Sequence, residues 1–178
     1  MNSTLILNAC VVNEGEQRTS DVLIKDGQIE AIGSNLQHKA ADRVIDASGL
    51  HLLPGMIDDQ VHFREPGLTH KGDIASESAA AVAGGITSYM EMPNVDPPTL
   101  DMDALEKKFA RAAQRSVANY SFYLGASNHN IDQIRGVDPT RVCGVKVVLG
   151  ASTGNLLVDD PKALDLIFRD SPILIATH

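Results

Sequence analysis

The chain has 178 residues, of which 43% are hydrophobic, and a formal net charge of -8 with no block of lysines or arginines. This acidic balance argues against nucleic acid and anionic membranes as partners, and it favours a small-molecule substrate. The two cysteines, Cys10 and Cys143, lie in apolar runs, which is typical of reduced thiols in a cytoplasmic protein. The first residues lack signal-peptide features, and no apolar run is long enough to cross a membrane.

Residues 1–53 have the pattern of a small β domain. Short apolar runs are separated by turn signals, and Asp26-Gly27 between two of them predicts a tight hairpin. The predicted strands are Leu5–Leu7, Val22–Ile24, Ile29–Ile32, Arg43–Ile45 and His51–Leu53. Strands of this length predict a small sheet or a sandwich beside the remainder of the chain.

Residues 54–178 change to alternating strands and helices. The predicted strands are one within Pro54–Gly67, then Thr87–Met92, Tyr120–Leu124, Gly144–Leu149 and Ile173–His178. The predicted helices run from Asp73 to Ala83, from Thr99 to Arg115, from Ile131 to Arg135 and from Pro161 to Phe168. Continuous apolar strands between helices indicate a parallel sheet or barrel, although five strands do not close an eight-stranded barrel. An open, doubly wound sheet is also compatible with this periodicity, but the chain has no glycine-rich nucleotide-binding motif.

The first of these strands carries polar residues in phase. Strand side chains alternate between two faces, so one face receives four polar groups and the other receives apolar ones. The polar face has Asp58, Gln60, His62 and Arg64, and the apolar face has Ile57, Val61 and Phe63. A single histidine in such a strand is usually a core residue, but four polar side chains in phase indicate a functional site.

The candidate functional side chains share one location in the predicted sheet. His62, Arg64, Asn94, Lys146 and His178 fall at the carboxyl ends of predicted strands, where βα folds place their active groups. Lys146 lies inside an apolar strand, so its amine must be paired, neutralised or modified. The planar fork of Arg64 suits a substrate carboxylate, although an ion pair with neighbouring Asp58 or Glu65 is a simpler role. Asn94 has a turn-forming role as its simpler alternative.

A long signature carries a resemblance to a known family. Met56–Gly67, together with Met92-Pro93-Asn94, resembles the first-strand signature of the cyclic amidohydrolases, specifically the dihydroorotases of the longer, bacterial-type class. That family normally has Asp-x-His-x-His at this point, and Gln60 stands where the first histidine is expected. Residues 150–155 also resemble the family's continuation of the Lys146 strand. The resemblance implies an α/β fold, with a partial (β/α)8 TIM-type barrel of about five βα units in residues 54–178 and a β-sandwich-like domain in residues 1–53.

The same resemblance implies a metal site and a substrate site. Zinc, as two ions, is expected on His62, His178 and Lys146, with the lysine carboxylated by carbon dioxide to a bridging carbamate. Gln60 is expected to occupy a further ligand position as a weaker donor. Arg64 and Asn94 are expected to hold a substrate carboxylate, and the catalytic aspartate is expected beyond residue 178.

The activity implied by the resemblance is zinc-dependent, reversible hydrolysis of the ring amide of dihydroorotate to N-carbamoyl-aspartate, in pyrimidine biosynthesis. Two alternatives stay open. One is a related allantoinase or hydantoinase, and the other is a non-catalytic dihydroorotase-like scaffold for a partner such as a carbamoyltransferase, which the replacement of a ligand histidine by Gln60 favours. We also expect the chain to be the N-terminal part of a longer protein, completed by the remainder or by a partner chain, with a homo-oligomer as the alternative.

Overall fold

The computed structural model describes residues 2–150 and 156–178. The continuation of the Lys146 strand that resembles the family therefore lies, after Gly150, outside the described residues. The chain divides into two compact units, Met1–Pro54 and Gly55–His178, and each unit contains its own sheet. No helix in the described part of the chain has the length and apolar character needed to span a bilayer.

The first unit is a single mixed sheet. Its strands are β1 (Ser3–Asn13), β2 (Glu16–Lys25), β3 (Gln28–Gly33), β4 (Arg43–Asp46) and β5 (His51–Leu52). β2 pairs antiparallel with β1 and β3, whereas β4 and β5 both pair parallel with β1. The predicted hairpin joins β2 to β3, and Asp26 and Gly27 have φ angles of 50° and 79°, as a tight turn of this kind requires. A single sheet is one of the two arrangements that the sequence predicted.

The second unit alternates strands and helices from its start. Its elements are β6 (Met56–Val61), α1 (Ile74–Ala83), β7 (Ile86–Glu91), α2 (Met102–Arg115), β8 (Asn119–Gly125), α3 (Ile131–Arg135), β9 (Gly144–Val147), α4 (Pro161–Asp170) and β10 (Ile175–Thr177). All neighbouring strands are parallel, and their order in the sheet is the order in the chain. A doubly wound sheet reverses its strand order at a switch point, so this singly wound sheet confirms the barrel-type prediction.

The helices of the second unit begin at side-chain caps. The Asp73 carboxylate accepts the Ser76 backbone N–H at 2.9 Å, and the Ser76 hydroxyl completes a capping box at the start of α1. α2 begins after Asp101, whose carboxylate accepts the Ala104 N–H at 2.7 Å, so the helix starts two residues later than a cap at Thr99 predicts. α1 packs on β7, and α2 packs on β8.

A continuous apolar core supports the carboxyl ends of the strands. Leu105, Phe122, Leu124, Val145 and Val147 are each at most 1% exposed and belong to one cluster that joins α2, β8 and β9. Close packing of this kind holds the strand ends rigidly. Side chains at those ends are therefore presented from a fixed base.

The first parallel strand differs from the expected buried strand. β6 ends at Val61 and lies at one side of the sheet, so Ile57 is 65% exposed instead of buried. Phe63 is buried, but Arg64 has a φ angle of 67°, in the left-handed region, which ends the strand alternation. His62 and Arg64 therefore come from the loop after β6 and not from the strand itself.

Candidate functional site

One cavity of about 610 Å³ opens at the carboxyl edge of the parallel sheet. It is lined by all six side chains that the sequence proposed for a site: Gln60, His62, Arg64, Asn94, Lys146 and His178. These residues come from β6 and its loop, the turn after β7, β9, and the segment after β10. Parallel strands meet at the same edge with their carboxyl ends, so the topology brings together residues that are far apart in the chain.

His62 is oriented by a side chain from the neighbouring loop. Its Nδ1 atom lies 2.8 Å from Asn94 Oδ1. Because an amide oxygen only accepts, Nδ1 carries the proton and Nε2 keeps its lone pair. Burial lowers the pKa of His62, and the positive charges of Arg64, Lys146 and His178 lower it further against the raising effect of Asn94. The imidazole is therefore held neutral, in the form that binds metals.

Arg64 is held by the backbone of the same loop that carries Asn94. Its Nη1 atom donates to the Asn94 carbonyl at 3.2 Å, across 30 positions of the chain. The simpler alternative, an ion pair with Asp58 or Glu65, is not formed among the described residues. The remaining guanidinium donors are available to a ligand in the cavity.

Lys146 lies on β9 and is only 6% exposed. Burial lowers the pKa of its amine, because the ammonium form loses hydration. Within residues 2–150 and 156–178 it forms no ion pair with a carboxylate. Of the three outcomes that the sequence allowed for this lysine, pairing is not found in this part of the chain, and neutralisation agrees with the lowered pKa.

Gln60 and His178 complete the cavity lining from the two edge strands of the sheet, Gln60 on β6 and His178 directly after β10. The His178 backbone N–H donates to the Val147 carbonyl at 3.0 Å, which extends the β9–β10 pairing by one residue and places His178 beside the end of the Lys146 strand. Gln60 is exposed, and its backbone N–H donates to Asp58 Oδ1 at 3.1 Å. Neither side chain forms a hydrogen bond within the described part of the chain, so both can meet a ligand in the cavity.

The donor set by itself is short of a complete metal centre. Among the described residues, no group of three or more histidine, cysteine, aspartate or glutamate side chains is arranged to hold a metal ion. The cavity lining includes the imidazoles of His62 and His178, the amides of Gln60 and Asn94, the amines of Lys71 and Lys146, and the guanidinium of Arg64. A metal in this cavity therefore needs a further anionic donor, and a carbamate on Lys146 is a group of that kind.

Glu65 is a buried carboxylate that the sequence analysis considered only as a possible partner of Arg64. It is 0% exposed, and its Oε2 atom accepts the Ile74 backbone N–H at 2.9 Å, at the start of α1. Its Oε1 atom accepts from Arg111 at 3.1 Å and from Arg115 at 2.8 Å. These contacts fix the end of the loop that carries His62 and Arg64.

A second buried charged group lies beneath the site. Lys108 Nζ lies 2.7 Å from Glu91 Oε2, and the two side chains are 2% and 0% exposed. A signal for it exists in the sequence, because Lys108 falls in helical phase with the apolar Leu105 and Ala112 of α2. A lysine on the apolar face of a helix needs a buried partner, and Glu91 at the end of β7 is that partner.

An α/β unit with sequential parallel strands and a polar cavity at their carboxyl ends has the architecture of the TIM-barrel enzymes. No family model matches the chain. Its curated relatives include the allantoinase of Salmonella choleraesuis, 36% identical over 93% of this chain, and that of Escherichia coli, 38% identical over 93%. Similar solved structures include L-hydantoinase (dihydropyrimidinase) from Arthrobacter aurescens, with a TM-score of 0.92, 30% identity and 100% of this chain covered. Dihydropyrimidinase from Brevibacillus agri has a TM-score of 0.81, 30% identity and 99% coverage.

These relatives are members of the cyclic amidohydrolase superfamily, with TIM-barrel folds. The chain spans about 35% of the length of the two allantoinases, and it covers 41% and 40% of the two solved chains. The coarser part of the sequence resemblance, to cyclic amidohydrolases, is thereby confirmed. The relatives are allantoinases and hydantoinases, and the finer resemblance to dihydroorotases stays a prediction.

Proposed function

We propose that this chain contributes to the active site of a metal-dependent cyclic amidohydrolase, which opens a ring by hydrolysing its amide bond. The observation that carries the proposal is the convergence of six side chains, chosen from sequence alone, on one cavity at the carboxyl edge of the sheet. The similarity to allantoinases and hydantoinases supports the same reaction class.

The first candidate substrate is a five-membered ureide ring of the allantoin or hydantoin type. Relatives named for these rings match 93% to 100% of the chain. The cavity volume of about 610 Å³ is ample for a ring of this size. This choice ranks above the dihydroorotate that the first-strand signature predicted.

Dihydroorotate is the second candidate, and the charge of the cavity favours it. Arg64 and Lys71 bring positive charge to the cavity lining, and no aspartate or glutamate lines it in the described part of the chain. In a chain with a net charge of -8, this basic lining is selective for an anion. Dihydroorotate carries a carboxylate, which the planar guanidinium of Arg64 can hold. Allantoin and hydantoin have no carboxylate.

The proposed metal chemistry rests on the donor groups that line the same cavity. The lowered pKa of Lys146 favours its neutral amine, which attacks carbon dioxide and releases one proton to leave a carbamate. With that carbamate, His62 through its free Nε2 and His178 are suited to hold zinc, as a pair of ions. Zinc supplies polarisation of the ring carbonyl and activation of water. Gln60 stands in a ligand position with a neutral, weaker donor.

A non-catalytic scaffold is the remaining alternative, and Gln60 is the observation that favours it. Loss of an imidazole ligand weakens a metal site, but His62, Lys146 and His178 all still line the cavity. A protein that only supports a partner has no need to keep these groups together. Metal content of the intact protein separates the two functions, since two metal ions per chain support the enzyme and none supports the scaffold.

Hydrolysis assays with the intact, zinc-loaded protein test the proposal. Allantoin, hydantoin and dihydroorotate are compared at equal concentration, and we expect turnover of at least one ring. Arg64→Gln serves as the matched variant. It is expected to raise KM for dihydroorotate by about tenfold or more, with little effect on the uncharged rings, because only the acidic substrate loses a charge-assisted hydrogen bond. Failure to hydrolyse any of the three rings would refute the proposed function.

A further inference from the structure

The ion pair between Glu91 and Lys108 is expensive to bury. The pair has one side chain at the end of β7 and the other on α2, with 0% and 2% of their surfaces exposed. Removing two charges from water costs several kcal/mol per ion before their attraction is counted, and apolar replacements are often neutral or stabilising. Lys108 Nζ also lies 4.8 Å from the centre of the Phe122 ring. A buried ion pair of this kind contributes little net stability. Its contacts with the rest of the protein therefore indicate a different role.

Lys108 contacts the backbone of a segment that carries cavity residues. Lys108 Nζ donates to the Met92 carbonyl at 3.3 Å, two residues before Asn94. The Met92 N–H in turn donates to the Val61 carbonyl at 3.0 Å, directly before His62. The pair is thereby connected to the ends of both β6 and β7.

Glu91 holds the amine of Lys108 at 2.7 Å, and among the described residues no other group donates a hydrogen bond to its carboxylate oxygens. Burial raises the pKa of Glu91, and the positive charge of Lys108 opposes that effect. Arg64 has the left-handed φ of 67°, a conformation that costs a non-glycine residue free energy and persists only where neighbouring groups enforce it. The Arg64 side chain itself donates to the Asn94 carbonyl at 3.2 Å, on the segment that Lys108 holds through Met92.

We propose that Glu91 and Lys108 form a positioning pair that sets Arg64 and Asn94 at the cavity, with Lys108 acting through the Met92 carbonyl and Glu91 holding the Lys108 amine in place. The pair does not touch substrate. It fixes the spacing between the two loops, which the bond from Arg64 Nη1 to the Asn94 carbonyl at 3.2 Å also spans. The kinetic part of this inference rests on the proposed function, because its effect is measured on ring hydrolysis.

Lys108→Met in the intact protein is the principal test. The substitution keeps an unbranched apolar chain and removes the amine that holds the Met92 carbonyl. We expect KM for the hydrolysed ring to rise by about tenfold to a hundredfold while kcat changes little, because misplaced binding groups weaken ground state and transition state alike. The matched control is Lys107→Met, the adjacent residue on α2, whose side chain is 72% exposed and pairs with Asp103. It is expected to leave both constants unchanged.

A second variant covers the possibility that a lone buried Glu91 prevents folding. Glu91→Gln combined with Lys108→Met removes both charges, and such neutral replacements are usually tolerated. We expect this double variant to fold, with the same rise in KM and with Arg64 and Asn94 displaced in its crystal structure. An unchanged KM together with a retained Arg64–Asn94 bond would overturn the proposal, and so would failure of both variants to fold, which would show a purely structural role. If the wild-type protein opens no ring, the proposed function fails, and the positions of Arg64 and Asn94 in the variant crystals still decide the positioning role.

Discussion

Glu65 ties the loop after β6 to α1 and α2, and its replacement tests how much a single buried carboxylate stabilises this region. In Glu65→Met, a side chain of similar length replaces a carboxylate that is 0% exposed. Three donors lose their acceptor: the Ile74 backbone N–H at 2.9 Å, and the Arg111 and Arg115 guanidinium groups at 3.1 and 2.8 Å. The change therefore acts on the start of α1 and on the loop that carries the cavity residues.

The Ile74 contact dominates the expected loss of free energy, because its buried N–H is left without a partner. A hydrogen bond to a charged group contributes about 1.5–3 kcal/mol. The two arginine side chains are 43% and 39% exposed, so water screens them and each ion pair contributes at most about 1 kcal/mol. We expect a local destabilisation of about 3 kcal/mol at the start of α1.

Hydrogen–deuterium exchange of the intact protein measures this loss where it occurs. About 3 kcal/mol corresponds to about a hundredfold faster exchange of the amides at the start of α1. Glu65→Gln keeps an oxygen for the Ile74 N–H and is expected to have a smaller effect. Asp103→Asn, which alters the exposed pair with Lys107, is the control and is expected to leave α1 unchanged. Unchanged exchange in Glu65→Met would refute the assignment of this carboxylate as the anchor of the loop.

Three further predictions concern the cavity and the core. Gln60→His is expected to raise zinc affinity in the intact protein by about tenfold or more, measured by equilibrium dialysis, because imidazole is a better zinc ligand than an amide oxygen. Lys146→Ala is expected to abolish bound metal, and a short carboxylic acid is expected to restore part of the activity by replacing the carbamate. Burial raises the pKa of Tyr89 from 10.0 to about 12, so stability is expected to fall as pH rises from 10 towards 12, and Tyr89→Phe is expected to reduce that fall.

Each of these predictions has an outcome that contradicts it. Unchanged zinc affinity in Gln60→His would show that position 60 lies outside the ligand set. Electron density for an unmodified Lys146 amine paired with an acid would end the carbamate proposal. For Tyr89, the unfolded chain releases the phenol proton at lower pH than the folded chain does, so alkali favours unfolding. Equal alkaline loss of stability in wild type and Tyr89→Phe, followed by circular dichroism, would show that another group controls this range.

The sequence by itself was enough to group six of the polar residues that line the cavity, although it gave no signal for Lys71. Apolar runs separated by helices placed His62, Asn94, Lys146 and His178 at strand carboxyl ends, and parallel pairing then puts those ends at one edge. The start of α1 could also be predicted from the sequence, because the Asp73 cap is a local contact with Ser76. Signals of this kind depend on neighbours within a few positions of the chain, which the order of residues displays directly.

Contacts between distant residues were decided only by the tertiary structure. The left-handed backbone of Arg64, the bond from His62 to Asn94 across 32 positions, and the Glu65 anchor reaching Arg115 across 50 positions have no local signature. The strand order that excludes a doubly wound sheet is likewise a property of the assembled sheet. Periodicity assigns a side chain to one face of its own helix or strand. The partner that it meets there depends on how the elements pack. Each such contact joins two segments of the chain, and no local sequence pattern specifies their relative position.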